Sequence, residues 1–257
     1  MRARQIVTIA RFTLLEALRI RLWGLFAVIV VLAFGAAWFM QQLAITESAR
    51  IETAFLAAAI RLAAVFVLSL HVLTSVVREF HDKGLELVLS FDVRRGDYIL
   101  GRLLGFLLVA TAIALLATLP QFALSSAPAA LQWGLSLACE LAIMSALSLF
   151  CIVTFTQLMP ATSFVFGFYL LARTLTAIRL MDAAPLTGAG TPSHQVMSWL
   201  VEGLALVIPA LDRYTQSTWL VDHASPWATS AVLAAQAALY IVLLGAATMF
   251  DFQRRNL

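Results

Sequence analysis

Six long apolar stretches, separated by shorter polar segments, dominate the pattern of residues along the chain. A bilayer core about 30 Å thick is crossed by about 20 helical residues. Each stretch is close to this length, so the pattern predicts an all-α fold, a single transmembrane domain of residues 1–257 with six membrane-spanning helices. The predicted spans are Leu22–Met40, Phe55–Val77, Leu103–Leu124, Leu131–Phe155, Ala161–Ile178 and Thr229–Phe250.

The first 21 residues have a different pattern, in which apolar positions recur three and four residues apart. Most of the basic residues in this segment fall on other faces of the predicted helix. A basic amphipathic helix of this kind is suited to lie on the inner surface of a membrane. The sequence therefore predicts an interfacial helix over residues 1–21, with an apolar face formed by Ile6, Ile9, Ala10, Thr13 and Leu14.

The basic residues predict the orientation of the spans. Of the 17 lysines and arginines, five precede the first predicted span, five lie between the second and third, and two follow the sixth. Lysine and arginine are enriched in the cytoplasmic segments of membrane proteins. With six spans, these three segments lie on one side, so both termini are predicted to be cytoplasmic.

The composition agrees with a membrane location. Hydrophobic residues make up 62% of the chain and charged residues 12%. Soluble domains contain about 45–50% hydrophobic and about 25% charged residues. The net charge is only +3, and the basic residues lie at the edges of apolar runs, which argues against nucleic-acid binding. Cys139 and Cys151 are twelve residues apart on one predicted helix, which is too far for a disulfide bond.

Charged residues are unusually dense between the second and third predicted spans, in residues 78–102. Gly84 can break the chain before a short helix, and Asp97 can cap the helix of the third span. An isolated short helix is only marginally stable in water, so its exposed apolar face predicts a partner protein. A solvated basic loop that only orients the spans is the alternative. The apolar face consists of Leu85, Val88 and Leu89.

This segment resembles the loop after the second span of ABC-2-type transporter permeases. The resemblance rests on R-E-x-x-x-K-G-L-E-x-V-L-S, on V-R-R-x-x-Y-I-L-G-R and on the opening A-R-F-T-L-L-E-A-L-R-I-R-L. Within the family, the chain looks most like the six-span permeases that pair with a separate ATPase, such as the one that serves nitrous oxide reductase maturation.

The resemblance implies an exporter subunit in the inner membrane of a bacterium. Such permeases dimerise around one translocation path, and the loop after the second span docks into a cleft on the ATPase, which binds ATP and Mg²⁺. This chain would then need no cofactor of its own, and Gly101 and Arg102 would begin the third span. Carried over by residue, the ATPase-coupling element consists of Arg78, Glu79, Gly84, Leu85, Glu86, Leu87, Leu89 and Arg95.

The residues themselves point to ATP hydrolysis in another subunit. The phosphate-binding pattern G-x-x-x-x-G-K-[ST] is absent from the sequence. The patterns G-x-S-x-G and H-E-x-x-H are absent as well, which argues against an intramembrane protease. We therefore expect the chain not to be an enzyme. A membrane anchor that does not transport, or a secondary transporter, is the alternative function.

The predicted outer segment, residues 179–227, is too long for a simple connection between spans. Thr191 and Pro192 can begin a helix that ends at Pro209 and is too short to cross the bilayer. We therefore expect a short re-entrant or interfacial helix at the outer face. The candidates for an outer gate are Trp199, Leu200 and Leu204, with a packing cap as the alternative.

Four ionisable side chains fall within the predicted spans, where charges are costly and are usually paired. Glu140 and Arg173 lie at similar depth in neighbouring spans, which predicts an ion pair or a contribution to the substrate path. We expect Arg61 to reach outward and His71 to be a hydrogen-bonded packing residue. Histidine, cysteine and methionine are too sparse for a metal site to be predicted.

Overall fold

The computed structural model describes residues 2–20, 22–43, 48–81, 94–183, 199, 201–204, 208–221 and 227–254. Single helical turns are found at Gln121–Leu124, Leu211–Arg213 and Thr218–Val221, and these described ranges contain no β-strand. Their long helices are α1 (Arg2–Arg19), α2 (Leu22–Leu43), α3 (Ser48–His81), α4 (Arg95–Thr118), α5 (Ala127–Phe155), α6 (Leu158–Ala183) and α7 (Trp227–Arg254).

Five of these helices, α3 to α7, are each long and apolar enough to cross a membrane. Helices α1 and α2 meet at an angle of 54° and would add a sixth span if the bent pair is counted as one. The all-α prediction is confirmed, and the set of five or six apolar helices is consistent with a multi-pass membrane protein.

The helices extend further than the apolar stretches that predicted them. Helix α3 begins at Ser48 rather than Phe55 and continues to His81. Helix α4 begins at Arg95 rather than Leu103. Hydropathy locates only the apolar middle of a helix, whereas backbone hydrogen bonding continues into the polar flanks.

The third predicted span contains a local break in helical hydrogen bonding but keeps its predicted end. Helix α4 ends at Thr118, and one helical turn, Gln121–Leu124, follows after Pro120. Proline has no amide hydrogen and its ring crowds the preceding turn, so the hydrogen-bond pattern is broken there. Leu119 and Pro120 nevertheless keep helical backbone angles, and Arg95–Leu124 forms one segment that is long and apolar enough to cross a membrane, so the predicted end of the span at Leu124 is confirmed.

The predicted capping role of Asp97 is also wrong. Helix α4 begins at Arg95, and the capping position is taken by Arg94, whose side chain makes no capping hydrogen bond. Asp97 instead lies in the first turn of the helix. A carboxylate at this position still interacts favourably with the positive end of the helix dipole.

Helix α5 is the centre of the bundle. It packs against α3, α4, α6 and α7 and is buried along most of its length, including Trp133, Leu137 and Leu141. Two side-chain hydrogen bonds join α5 to α7, from Gln132 to Ser230 and from Thr154 to Asp251, each 2.9 Å long. Since lipid is as apolar as these side chains, close packing and interhelical hydrogen bonds hold such a bundle together.

Helix α1 packs closely against the first turns of α4. A Cβ atom built on Gly101 would lie 2.7 Å from Cβ of Ile9, and one on Gly105 would lie 2.5 Å from Cβ of Thr13. The apolar face of α1, which the sequence places on a membrane surface, therefore contacts protein. Small residues at a helix crossing allow this approach of the two backbones.

This crossing predicts opposite effects for two glycine substitutions. Gly105→Ala should lower the free energy of unfolding by about 1–3 kcal/mol, because the added methyl group would overlap Thr13. Gly167→Ala is the matched control, because a Cβ there would have no neighbour within 4 Å. Alanine should stabilise α6 by up to about 1 kcal/mol through its higher helix propensity. Thermal unfolding midpoints in detergent measure both effects, and equal shifts would contradict the close crossing.

Candidate functional site

Arg102 lies at the centre of a buried polar cluster that joins three helices. Its Nη1 atom lies 3.1 Å from Oε2 of Glu16 on α1, and its Nη2 atom lies 2.7 Å from Oε2 of Glu79 on α3. The Arg102 side chain is only 6% exposed. We call Thr13, Glu16, Ser75, Glu79 and Arg102 the loop-base cluster, because α3 and α4 flank residues 82–93 at this point.

Hydroxyl groups complete the loop-base cluster. Arg102 donates to Oγ1 of Thr13 at 3.2 Å and to Oγ of Ser75 at 2.9 Å, and Ser75 donates to Oε1 of Glu16 at 2.8 Å. The guanidinium also lies over the ring of Phe106, 5.1 Å from its centroid. A planar guanidinium with five N–H donors is suited to hold several acceptors at once.

The electrostatics of the loop-base cluster keep Glu16 ionised. Burial by itself would raise the pKa of this carboxyl group, but the hydrogen bond from Ser75 and the positive charge of Arg102 outweigh it and hold the pKa below its usual value. Two carboxylates thus share one guanidinium, so each of them depends on Arg102 for its compensating charge.

The coupling residues predicted from the sequence are only partly within the described structure. Gly84, Leu85, Glu86, Leu87 and Leu89 all lie outside the described residues. Glu79 faces Arg102, with its side chain 21% exposed, whereas Arg78 is exposed and Arg95 is partly buried. Glu79 therefore contacts α4, at the end of α3 from which residues 82–93 continue.

His71 lies near the loop-base cluster and not beside Glu140. Its ring is buried and contacts the ring of Phe106 edge-on, with the centroids 6.1 Å apart. In the described part of the chain, the Nε2 atom of His71 has no hydrogen-bond partner. The structure thus confirms that His71 packs inside the bundle. The expected hydrogen bond is not made by its Nε2 atom.

Glu140 and Arg173 come together in a second buried cluster, as the sequence predicts. Nη1 of Arg173 lies 3.4 Å from Oε1 of Glu140, whose side chain is fully buried. Thr215 donates from its hydroxyl to Oε2 of Glu140 at 2.6 Å and from its backbone amide to Ser136 at 3.0 Å. We call Arg61, Ser136, Glu140, Arg173 and Thr215 the Glu140 cluster.

The Glu140 cluster anchors residues 208–221 to the helical bundle. Arg173 donates to the backbone oxygens of Leu211 at 2.8 Å and Tyr214 at 3.2 Å. Arg61 donates to the backbone oxygen of Thr215, in the predicted outer segment, at 3.2 Å. Thr215 has a φ of 48°, a left-handed conformation that costs free energy in a non-glycine residue and that these contacts support.

The residues predicted to form an outer gate are separate from both clusters. Trp199 is 80% exposed and Leu204 is 41% exposed, while Leu200 lies outside the described residues. The predicted helix start at Thr191 and Pro192 also falls outside them. The segment that meets the bundle is instead 208–221, where the hydroxyl of Tyr214 donates to the backbone oxygen of Leu233 on α7 at 2.9 Å.

An apolar cavity of about 590 Å³ lies between α4, α5 and α7. It is lined mainly by alanine and leucine side chains and by Cys139. Cys139 and Cys151 both lie on α5 and are free thiols. Within the described ranges, no three histidine, cysteine, aspartate or glutamate side chains converge as metal ligands.

The sequence contains one signal for the loop-base cluster that motif analysis missed. Glu16 is the only acidic residue among the first 46, and it is surrounded by arginines. An isolated carboxylate on an otherwise basic helix can mark a specific partner, here Arg102. Comparison with known protein families and with curated proteins finds no match to this chain.

Proposed function

We propose that this chain is the transmembrane permease subunit of an ABC-2-type exporter in a bacterial inner membrane. Two copies would line the transport path, and two copies of a separate ATPase would bind ATP and Mg²⁺ and drive the transport. The proposal rests on the loop motif of residues 78–102 and on the high apolar content of the helices.

The loop-base cluster is the observation that carries this proposal. Arg102 connects the two helices that flank residues 82–93 to each other and to α1. A partner that pushes on these residues would therefore move α1, α3 and α4 together. The cluster would thus give the loop a direct mechanical connection to all three helices.

Helix α3 supports a route from the loop to the other end of the bundle. It carries Glu79 in the loop-base cluster and Arg61 in the Glu140 cluster, 18 residues apart. This separation corresponds to about 27 Å along a helix. In the proposed mechanism, a shift of α3 that follows ATP binding changes the contact of Arg61 with Thr215 and loosens residues 208–221 at the outer face.

Purification of the full chain with the ATPase encoded nearest to its gene tests this function. We expect a complex of two permeases and two ATPases in mild detergent, with ATP turnover that the permease alone lacks. A permease that purifies without any ATPase would contradict the proposal. It would favour a membrane anchor for another cytoplasmic partner, or a secondary transporter.

Substitutions in the loop test the coupling element directly. Glu86→Arg together with Leu89→Asp should abolish ATPase binding and leave the helical bundle folded, because the sequence predicts both positions in the cytoplasmic loop between two spans. The matched control is Glu202→Arg with Leu204→Asp, the same chemical changes at exposed positions of the predicted outer segment. Retention of the ATPase should be normal in the control. Normal retention and normal transport in the loop variant would contradict the assignment.

A further inference from the structure

A groove follows the junction of α1, α2 and α3, beside the loop-base cluster. Two adjoining cavities of about 330 and 400 Å³ form it, and they share Ile20 and Arg78 in their walls. The groove passes from the end of α1 to the contact between α2 and α3.

The walls between α2 and α3 are mainly apolar. Leu25, Val67 and Leu70 line this part of the groove, and Leu25 and Leu70 are exposed in the isolated chain. The other cavity continues the apolar surface with Phe12 and Leu15 of α1. Such a surface beside transmembrane helices is suited to contact a hydrocarbon chain.

The open end of the groove is positively charged. Arg19 at the end of α1 and Arg78 near the end of α3 both line it, and both are exposed. Neither forms an ion pair with a carboxylate in the part of the chain that the structure describes. The one carboxylate in the wall, Glu16, is already bound by Ser75 and Arg102.

His71 provides a second, independent observation. It lines the same groove and is only 4% exposed. Its Nε2 atom has no hydrogen-bond partner among the described residues. Buried polar atoms are almost always hydrogen-bonded in folded proteins. His71 is therefore a groove-wall residue whose ring nitrogen is available for a hydrogen bond to a polar group of a ligand.

We propose that this groove binds one anionic phospholipid. The phosphate group lies between Arg19 and Arg78, an acyl chain follows Leu25, Val67 and Leu70, and a polar group of the lipid forms a hydrogen bond with Nε2 of His71. Basic pockets between transmembrane helices at a membrane surface recognise anionic headgroups in this way. The inference requires that the chain lies in a membrane and does not depend on ATP-driven transport.

Native mass spectrometry of the full chain tests the site, with palmitoyl-oleoyl phosphatidylglycerol and the corresponding phosphatidylcholine as probes. We expect one phosphatidylglycerol to stay bound per chain and to be preferred over phosphatidylcholine. Arg19→Gln with Arg78→Gln should weaken phosphatidylglycerol binding about 30-fold, the effect of removing two arginines from an anionic headgroup. Thr74→Trp should reduce binding without a change of charge, because Thr74 is an exposed residue in the groove wall.

Arg4→Gln with Arg254→Gln is the matched control, since it removes the same charge at exposed positions outside the groove. It should leave the bound phosphatidylglycerol in place. Equal retention of the two lipids would overturn the proposal, as would equal losses in the two double-arginine variants. Unchanged binding in a folded Thr74→Trp chain would overturn the placement of the lipid in this groove.

Discussion

Replacement of Arg102 by leucine is expected to lower the free energy of unfolding by about 3–5 kcal/mol, which is a large fraction of the stability of a typical domain. The reason is that Glu16 and Glu79 would stay in place without their compensating charge. Thermal unfolding midpoints and the yield of monodisperse protein in detergent measure the effect.

Three companion variants separate charge from packing at this position. Arg102→Lys keeps the charge but cannot reach both carboxylates in the same geometry, so an intermediate loss is expected. The triple variant Glu16→Leu, Glu79→Leu and Arg102→Leu should recover much of the stability that Arg102→Leu loses, because no charge of the cluster then remains buried. Arg4→Leu changes an exposed arginine and should have little effect. Equal stability of the Arg102→Leu and Arg4→Leu proteins would contradict the central role of Arg102.

The second large effect concerns the Glu140 cluster. Glu140→Gln and Arg173→Gln are each expected to destabilise the protein more than the two changes combined. Each single change leaves the opposite charge buried, whereas the double variant leaves neither member of the pair charged. The interaction free energy from the double-mutant cycle should be about 1–3 kcal/mol.

The control cycle uses the same chemical changes at exposed residues. Glu202→Gln and Arg213→Gln lie in the same part of the chain, and both side chains are exposed. Their effects should be small and additive. If the Glu140 and Arg173 changes are additive as well, the two residues do not stabilise each other, and residues 208–221 are held by the hydrogen bonds of Arg173 and Arg61 to the backbone.

Sequence patterns identified the Glu140–Arg173 pair because charge within an apolar helix is rare and costly. Two such residues of opposite sign at similar depth leave few alternative partners. The same reasoning did not predict that Arg61 binds the backbone of Thr215, since a carbonyl oxygen is present at every residue and has no distinguishing pattern. The partner of Arg61 follows from the path of residues 208–221 through space.

The loop-base cluster shows a different limit of prediction. The sequence places Glu79 and Arg102 in one motif and Glu16 within the predicted interfacial helix, with no sign that the three meet. Their contact joins residues that are 86 and 23 positions apart in the chain. No local pattern encodes which of several arginines meets a given carboxylate, because that choice depends on how the helices cross.

The sequence by itself determined the all-α fold and the approximate position of each apolar helix, because a bilayer-length apolar stretch can satisfy its backbone polar groups only within a helix. The tertiary structure alone decided the partners of Glu16, Arg61 and Arg102. The close approach of α1 to α4 at Gly101 and Gly105 brings Glu16 to Arg102, and that crossing is set by side-chain packing over long sequence distances. The groove between Arg19 and Arg78 likewise depends on how α1 packs beside α3, two helices whose residues are far apart in the sequence.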